Sequence, residues 1–173
     1  SDATSGIVDF SIDGASQGAG TSGSFGYADG SHIITAVATD EAGNASDPMI
    51  LTDIQIDTVA PTMGSLTSGS HTSGVWTSNG TVDLDWTGSD ATSGIVDFSI
   101  DGASQGAGTS GSFGYADGTH IITAVATDEA GNASDPMILT DIQIDTVAPT
   151  MGSLTSGSHA SGVWTSNGTV DLD

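Results

Sequence analysis

The stretch Thr81-Val-Asp-Leu-Asp-Trp86 alternates apolar and acidic side chains along its whole length. A period of two is typical of a β-strand that buries one face and exposes the other. We therefore predict a strand here, with Leu84 and Trp86 in a core and with Asp83 and Asp85 in solvent.

Similar signals follow on the C-terminal side of this strand. Val96, Phe98 and Ile100 alternate before the turn-forming pair Asp101-Gly102. Helical periodicity is absent from the sequence. Further strands are predicted at Ser112–Tyr115, His120–Thr127 and Met137–Ile144. About seven short strands in under ~100 residues favour an all-β fold, a β-sandwich of immunoglobulin type.

The chain repeats itself with a period of 88 residues. Residues 1–85 recur as residues 89–173, and only Ser31/Thr119 and Thr72/Ala160 differ between the copies. Near-identical tandem units lengthen a chain or multiply one weak site. The repeat therefore favours an extended rod of sandwich domains with a structural role. No pattern indicates a paired nucleophile and base, so we expect no catalysis.

Two linkers divide the repeats. Asp57-Thr-Val-Ala-Pro61 and Asp145-Thr-Val-Ala-Pro149 each end in a proline, which stiffens the backbone around it. We predict that residues 1–56 are the C-terminal part of one repeat, 57–144 a complete repeat, and 145–173 the N-terminal part of another. The two partial repeats are complementary and together lack only a counterpart of residues 86–88.

Two interpretations of the partial repeats stay open. The chain is either a window on a longer array, or a subunit in which residues 145–173 complete residues 1–56 of the next chain. Strand donation of the second kind builds filaments, since an open sheet edge offers unpaired main-chain groups. The expected partners are thus neighbouring repeats of the same chain or identical chains end to end.

The charge balance excludes several functions. The chain has no Lys or Arg and 22 acidic residues, for a net charge of −22. Nucleic-acid binding and docking on anionic membranes need basic side chains, and no apolar run is long enough to be inserted in a bilayer. Cysteine is also absent, so no disulfide stabilises the fold. A divalent cation is the natural compensation for the self-repulsion.

Calcium is the expected ion because it prefers several oxygen ligands. In this topology, the loops after the second and sixth strands lie at the pole where the preceding linker arrives. We predict that Asp57, Asp90 and Asp128 converge there on an interdomain Ca²⁺, with Asn132 as a fourth ligand. In a filament, Asp145 of one chain would meet Asp2 and Asp40 of the next.

Other polar and aromatic residues are given structural roles. Aspartates that directly precede glycine are predicted to cap turns, namely Asp13, Asp29, Asp101 and Asp117. We expect His32 and His120 at strand corners, His71 and His159 in solvent, and Trp76 and Trp164 in the core. Glycan attachment is left open by the Asn-X-Ser/Thr sequences at Asn44, Asn79, Asn132 and Asn167.

Three segments in fixed order carry a family resemblance: VDLDWTGSDATSGIVDFSIDG at Val82–Gly102, GTHIITAVATDEAGNAS at Gly118–Ser134 and IDTVAP at Ile144–Pro149. The chain resembles the bacterial immunoglobulin-like repeats in the extender regions of giant repeats-in-toxin surface adhesins. That resemblance implies an extracellular or cell-surface spacer, often with bound calcium. A multivalent carbohydrate- or surface-binding module is a further alternative, and it would need an exposed aromatic side chain.

Overall fold

The computed structural model describes residues 3–173, which contain twelve β-strands and no helix. Four strands near the N-terminus form the first sheet, in the order β2-β1-β3-β4. They are β1 (Ile7–Ile12), β2 (Ala15–Ser16), β3 (Gly30–Asp40) and β4 (Met49–Ile56). All pairs in this sheet are antiparallel.

Eight further strands form two sheets between the linkers. They are β5 (Thr62–Ser68), β6 (Trp76–Thr77), β7 (Thr81–Ser89), β8 (Ile95–Ile100), β9 (Ala103–Ser104), β10 (Ser110–Gly114), β11 (Gly118–Asp128) and β12 (Met137–Ile144). The strand orders are β10-β7-β5 and β6-β12-β11-β8-β9. Only the short β6 pairs in parallel, with β12.

The two sheets pack face to face around one core, which makes this part of the chain a β-sandwich. Trp86 lies at its centre, with its ring centroid 6.4 Å from that of Phe98 and 6.2 Å from that of Phe113. The indole N–H donates to the Gly108 carbonyl at 2.7 Å. The predicted alternation of β7 is confirmed, since Leu84 and Trp86 are buried and Asp83 and Asp85 are exposed.

Two backbone features with positive φ shape the five-stranded sheet. Asp101 and Gly102, at φ 48° and 81°, form the predicted tight turn between β8 and β9. Asp141, at φ 58°, lies where the register of β12 shifts against β11. This bulge frees two carbonyls that bind the loop before β6: Thr140 accepts from the Ser73 hydroxyl at 2.9 Å, and Asp141 accepts from the Gly74 N–H at 2.8 Å.

Two predictions of side-chain burial are wrong. His71 is buried, because its Nδ1 bonds the Ser70 hydroxyl at 2.9 Å and its Nε2 bonds the Asn79 carbonyl at 3.0 Å, so the ring bridges the ends of its own loop. Trp76 is 58% exposed because β6 is a two-residue strand at the sheet edge, and Trp164 is fully exposed. His159 is half-buried with contacts like those of His71.

Residues 145–173 contain no strand, and a single bridge joins Ser156 to Leu172. Their apolar side chains are exposed, including Met151, Leu154, Val170 and Leu172. Within residues 3–173 no helix is long and apolar enough to cross a membrane.

Candidate metal centre

Three aspartates from separate parts of the chain meet at one pole of the sandwich. Asp57 opens the linker after β4, Asp90 follows β7, and Asp128 ends β11. Each contributes a carboxylate oxygen, and these oxygens all lie within 4.8 Å of one another. Two oxygens that bind one Ca²⁺ lie at most about 5 Å apart, because each lies ~2.3–2.6 Å from the ion. The spacing therefore suits a shared cation.

Asp128 is the buried member of the group, with 1% of its surface exposed. Its Oδ1 accepts from the Asn132 backbone N–H at 2.8 Å, and its Oδ2 accepts from the Asn132 amide at 2.9 Å. The same amide donates to the Asp57 carbonyl at 3.1 Å. Asn132 thus orients Asp128 and holds the linker, and its role as a fourth ligand through Oδ1 stays a prediction.

Asp90 is fixed by the backbone that follows it. The N–H groups of Gly94, Thr92 and Ser93 all donate to its Oδ2, at 2.8, 2.9 and 2.9 Å. These bonds hold the pKa of Asp90 below its ordinary value of 3.8, although desolvation opposes them. Asp90 is therefore ionised at neutral pH, and it contributes one carboxylate oxygen to the cluster.

The linker is bonded to the strands on both of its sides. Asp57 accepts from the Ser93 N–H at 3.0 Å, on the sandwich side. The backbone N–H and hydroxyl of Thr58 donate to Asp29 Oδ1 at 3.0 and 2.9 Å, and Asp29 directly precedes β3 of the first sheet. Consecutive residues of the linker thus contact the two neighbouring units, so the carboxylate cluster lies at their junction.

The donor set fits a hard divalent cation. Three carboxylates lie close together in a chain without Lys or Arg, and the burial of Asp128 makes its charge costly without a counter-charge. The Ser93 hydroxyl adds a buried polar atom that has no hydrogen-bond partner within residues 3–173, and the Ser93 backbone N–H contacts both Asp57 and Asp90. An oxygen-only set of this kind could hold a metal such as Ca²⁺.

The copies of these residues in the partial repeats keep the same local bonds. Asp40 accepts from the backbone N–H and the amide of Asn44 at 2.7 and 2.8 Å. Asp145 accepts from the Val147 N–H at 3.0 Å, as Asp57 does from Val59. Asp2 lies outside the described residues. The predicted meeting of Asp145 with Asp2 and Asp40 of another chain stays a prediction.

The aspartates before glycine bind backbone groups, as expected of turn residues. Asp101 accepts from the Thr123 N–H at 2.8 Å and from the Tyr115 hydroxyl at 2.6 Å. Asp117 accepts from the N–H and hydroxyl of Thr146, and these bonds lower its pKa. The roles of Ser93 and of the Asp29–Thr58 contact are not visible in the sequence, because both depend on the packing of distant segments.

A scan against protein-family models and a search of curated proteins each found no match. Among solved structures, the fibronectin(III)-like modules of Clostridium thermocellum CbhA are 20% identical, with a TM-score of 0.43, covering 88% of this chain and 87% of that chain. The D00-D0 domain of intimin is 14% identical, with a TM-score of 0.28, covering 81% and 88%. The fold itself rests on the strand pairing described above.

Proposed function

We propose that this chain is a spacer segment of a secreted or surface-anchored prokaryotic adhesin or fibre. Residues 57–144 are one complete sandwich repeat, flanked by parts of two others at 1–56 and 145–173. Repeats in series form a rod that holds a terminal binding module away from its anchor. One observation carries the proposal: Asp57 of the linker shares a carboxylate cluster with Asp90 and Asp128 of the sandwich that follows.

Calcium at this cluster would limit bending of the rod. A bend at residues 57–61 moves Asp57 away from Asp90 and Asp128, which separates the ligands of a bound ion. Calcium that binds the folded junction but not the unfolded chain also stabilises the folded state, by about 2.7 kcal/mol when the free Ca²⁺ concentration is 100 times Kd. The ion acts on shape and stability and takes part in no reaction.

The test is the distance between the two units that flank the linker. The chain has no cysteine, so a V8C/V96C double variant carries spin labels only at those two sites. Val8 in β1 and Val96 in β8 are exposed and occupy the same position of the repeat. Pulsed electron spin resonance then measures the distance distribution across the junction. We expect a narrow distribution in Ca²⁺ and a broader one after chelation.

Asp57→Asn in the labelled chain provides the matched control. It removes one ligand charge and should keep the distribution broad in Ca²⁺. Equal widths with and without Ca²⁺ in the unsubstituted labelled chain would contradict a calcium-stiffened spacer.

A second candidate function is multivalent binding to a carbohydrate or another surface. The observation that favours it is the exposure of Trp76, since an exposed indole is a common platform for apolar ligand faces. Trp76→Ala should then weaken retention on a glycan or surface panel, and the W76A/W164A double variant should abolish it, while the Ca²⁺ response at the junction stays intact. Equal retention of the unsubstituted and doubly substituted chains would exclude this role for Trp76.

A further inference from the structure

The two linkers attach to different sheets of the sandwich. Residues 57–61 lead into β5, which belongs to the three-stranded sheet, whereas β12, which leads out at Asp145, belongs to the five-stranded sheet. A pull on both linkers therefore tends to slide one sheet against the other. The apolar packing between the sheets is non-directional. Hydrogen bonds that join the entering segment to β12 are thus the specific resistance to sliding.

Residues 69–77, the crossing segment, follow β5 and cross to the edge of the other sheet. The segment ends in β6, which pairs in parallel with β12 and places Trp76 opposite Gln143. The N–H of Asp145 donates to the Thr77 carbonyl at 2.9 Å. The chain that enters the sandwich is thereby bonded to the residue at which the next linker begins.

The parallel direction of β6 and β12 decides how these bonds are loaded. A pull on residues 57–61 and an opposite pull on residue 145 move the two strands past each other along their common axis. All the bonds between them are then stretched at the same time. In a hairpin pulled apart at its open end, by contrast, the bonds break one after another. Loading the bonds together raises the barrier to unfolding, because no bond is lost alone.

The bulge of β12 adds two bonds to this contact. The Ser73 hydroxyl donates to the Thr140 carbonyl at 2.9 Å, and the Gly74 N–H donates to the Asp141 carbonyl at 2.8 Å. Asp141 has a φ of 58°, which is unfavourable for a residue other than glycine. The same positive φ recurs at Asp53 of the first sheet, so the repeated sequence sets the bulge. It offers the crossing segment two successive carbonyls, which in a regular strand would point to opposite sides.

The start of the crossing segment is fixed to the three-stranded sheet. The Asp83 N–H of β7 donates to the Ser70 hydroxyl at 2.8 Å. The Nε2–H of His71 donates to the Asn79 carbonyl at 3.0 Å, and the His71 side chain is buried. These bonds close the loop of residues 70–79. The loop therefore has little slack, and a pull on β5 reaches β6 directly.

We propose that the crossing segment is a mechanical clamp, which delays unfolding of the repeat when the chain is under tension. Its bonds to β12 carry the load between the entering and the leaving linker. The clamp rests on the proposed spacer function, because a spacer held at both ends bears tension. It does not depend on calcium, since its bonds to β12 do not involve the carboxylate cluster of Asp57, Asp90 and Asp128.

Unfolding of single molecules at constant force tests the clamp, in chelator so that calcium plays no part. Val59 and Val147 lie in the two linkers and are exposed, and the chain has no cysteine. A V59C/V147C variant therefore takes handles that pull on this sandwich alone. Ser73→Ala removes the bond to Thr140. It should make unfolding under tension about 2–10-fold faster, the effect of losing one hydrogen bond from the barrier.

The matched control is Ser104→Ala in the same V59C/V147C chain. The Ser104 hydroxyl is exposed, as that of Ser73 is, and donates to Asp97 at 2.6 Å between β8 and β9. Neither of these strands is joined to a linker, so the bond lies outside the path of the load. The S104A chain should unfold under tension within about 2-fold of the rate of the V59C/V147C chain without it.

A second pulling geometry separates a mechanical role from ordinary stabilisation of the fold. Val96 in β8 and Ile121 in β11 are exposed, so a V96C/I121C variant takes handles there. Tension then passes between β8 and β11 and does not slide β6 along β12. In this geometry Ser73→Ala should change the unfolding rate by less than about 2-fold, as expected of an exposed side chain.

Two results would overturn the clamp. Equal unfolding rates of the S73A and S104A chains between handles at 59 and 147 would place the barrier elsewhere in the sandwich. The same acceleration by S73A in both pulling geometries would show that the Ser73 bond stabilises the fold without bearing the load. Neither result alters the spin-label distances across the 57–61 linker, so failure here and failure of the calcium-stiffened spacer are distinguishable.

Discussion

Ile122 and Ile34 occupy the same position of two copies of one sequence, yet Ile122 is fully buried and Ile34 is only half-buried. The strands around them nevertheless have the same bounds and bulges. The difference is that β5 and β7 cover the sheet of Ile122. The antiparallel pairs β1–β3 and β3–β4 therefore form without that cover.

Strands that depend on contacts with a distant segment form in one copy alone. β10 needs β7, β6 needs β12, and the β5–β7 pair packs on the sheet that contains β11 and β12. Their counterparts in residues 22–26 and 149–173 have the same residues, apart from Ala160, but no strand. Strand formation in these segments thus depends on packing against neighbouring strands and not on the intrinsic preference of the backbone. Because the two copies hardly differ in sequence, substitutions at paired positions measure the effect of packing alone.

The largest difference in the free energy of unfolding is expected between the Leu84→Ala and Leu172→Ala variants. Leu84 is in the core, so its truncation should lower the free energy of unfolding by about 2–5 kcal/mol. Leu172 is exposed, and its truncation should change that value by less than ~0.5 kcal/mol. Urea unfolding followed by the fluorescence of buried Trp86 measures both, at concentrations where the chain is monomeric. Equal losses would show that the two copies are packed alike.

A calcium-dependent loss of stability is expected for Asp128→Asn. In Ca²⁺ the variant should lose much of the proposed stabilisation of about 2.7 kcal/mol at 100 times Kd, because a ligand charge is removed. In chelator its loss should be smaller, because the relief of repulsion among three like charges offsets the loss of one of the two bonds that the Asp128 carboxylate accepts from Asn132. Thermal unfolding in both buffers measures the two effects.

The matched control is Asp40→Asn, in the partial repeat. Asp40 makes the same bonds to Asn44 that Asp128 makes to Asn132. In a monomeric chain Asp57 approaches Asp128 and not Asp40, so the calcium response of the D40N chain should be that of the unsubstituted chain. Loss of the response in both variants would place the ion elsewhere.

Much of this arrangement follows from sequence patterns. The bounds of β12, the Asp101-Gly102 turn and the buried face of β7 follow from alternation and turn chemistry. The proximity of three carboxylates follows from topology, because the loops after β7 and β11 and the linker share a pole. These features depend on local residues or on the order of strands, both of which a single sequence contains.

The features missed are those set by tertiary contacts. Alternation places Trp76 on a strand but does not reveal that this strand is a two-residue edge, which leaves the indole exposed. His71 is buried because its Nε2–H donates to the Asn79 carbonyl eight residues away, and no pattern in Ser70–Asn79 indicates that closure. Ser93 enters the carboxylate cluster through backbone bonds to Asp57, 36 residues earlier.

A smaller difference is expected between Ser134→Ala and Ser46→Ala. The Ser134 hydroxyl accepts the N–H of buried Ala126 at 3.0 Å. Its removal leaves that N–H unsatisfied, which should cost about 1–3 kcal/mol. Ser46 makes the same bond to Ala38 but is exposed, so water can replace it and the loss should stay below ~0.5 kcal/mol. Chemical unfolding of both variants measures the two losses of unfolding free energy. Comparable losses would contradict this expectation.

The smallest effect is expected for Asp90→Asn, in the pH dependence of its unfolding free energy in calcium-free buffer. Three N–H groups lower the pKa of Asp90 in the folded chain. A lowered folded pKa gives stability that is present above the unfolded value of about 4 and is lost as the pH falls through the folded value. The nearby charges of Asp57 and Asp128 oppose this contribution, which keeps it small.

The gap in unfolding free energy between the unsubstituted chain and D90N should therefore shrink as the pH falls below about 4. Asp85→Asn is the control, because it removes the same charge from an exposed site on β7 whose carboxylate accepts no such set of backbone N–H groups. The plot of unfolding free energy against pH for D85N should stay more nearly parallel to that of the unsubstituted chain than the plot for D90N does. If the D90N and D85N curves coincide between pH 2 and 6, the bonds to Gly94, Thr92 and Ser93 contribute nothing to the folded junction, and Asp90 is held there by packing alone.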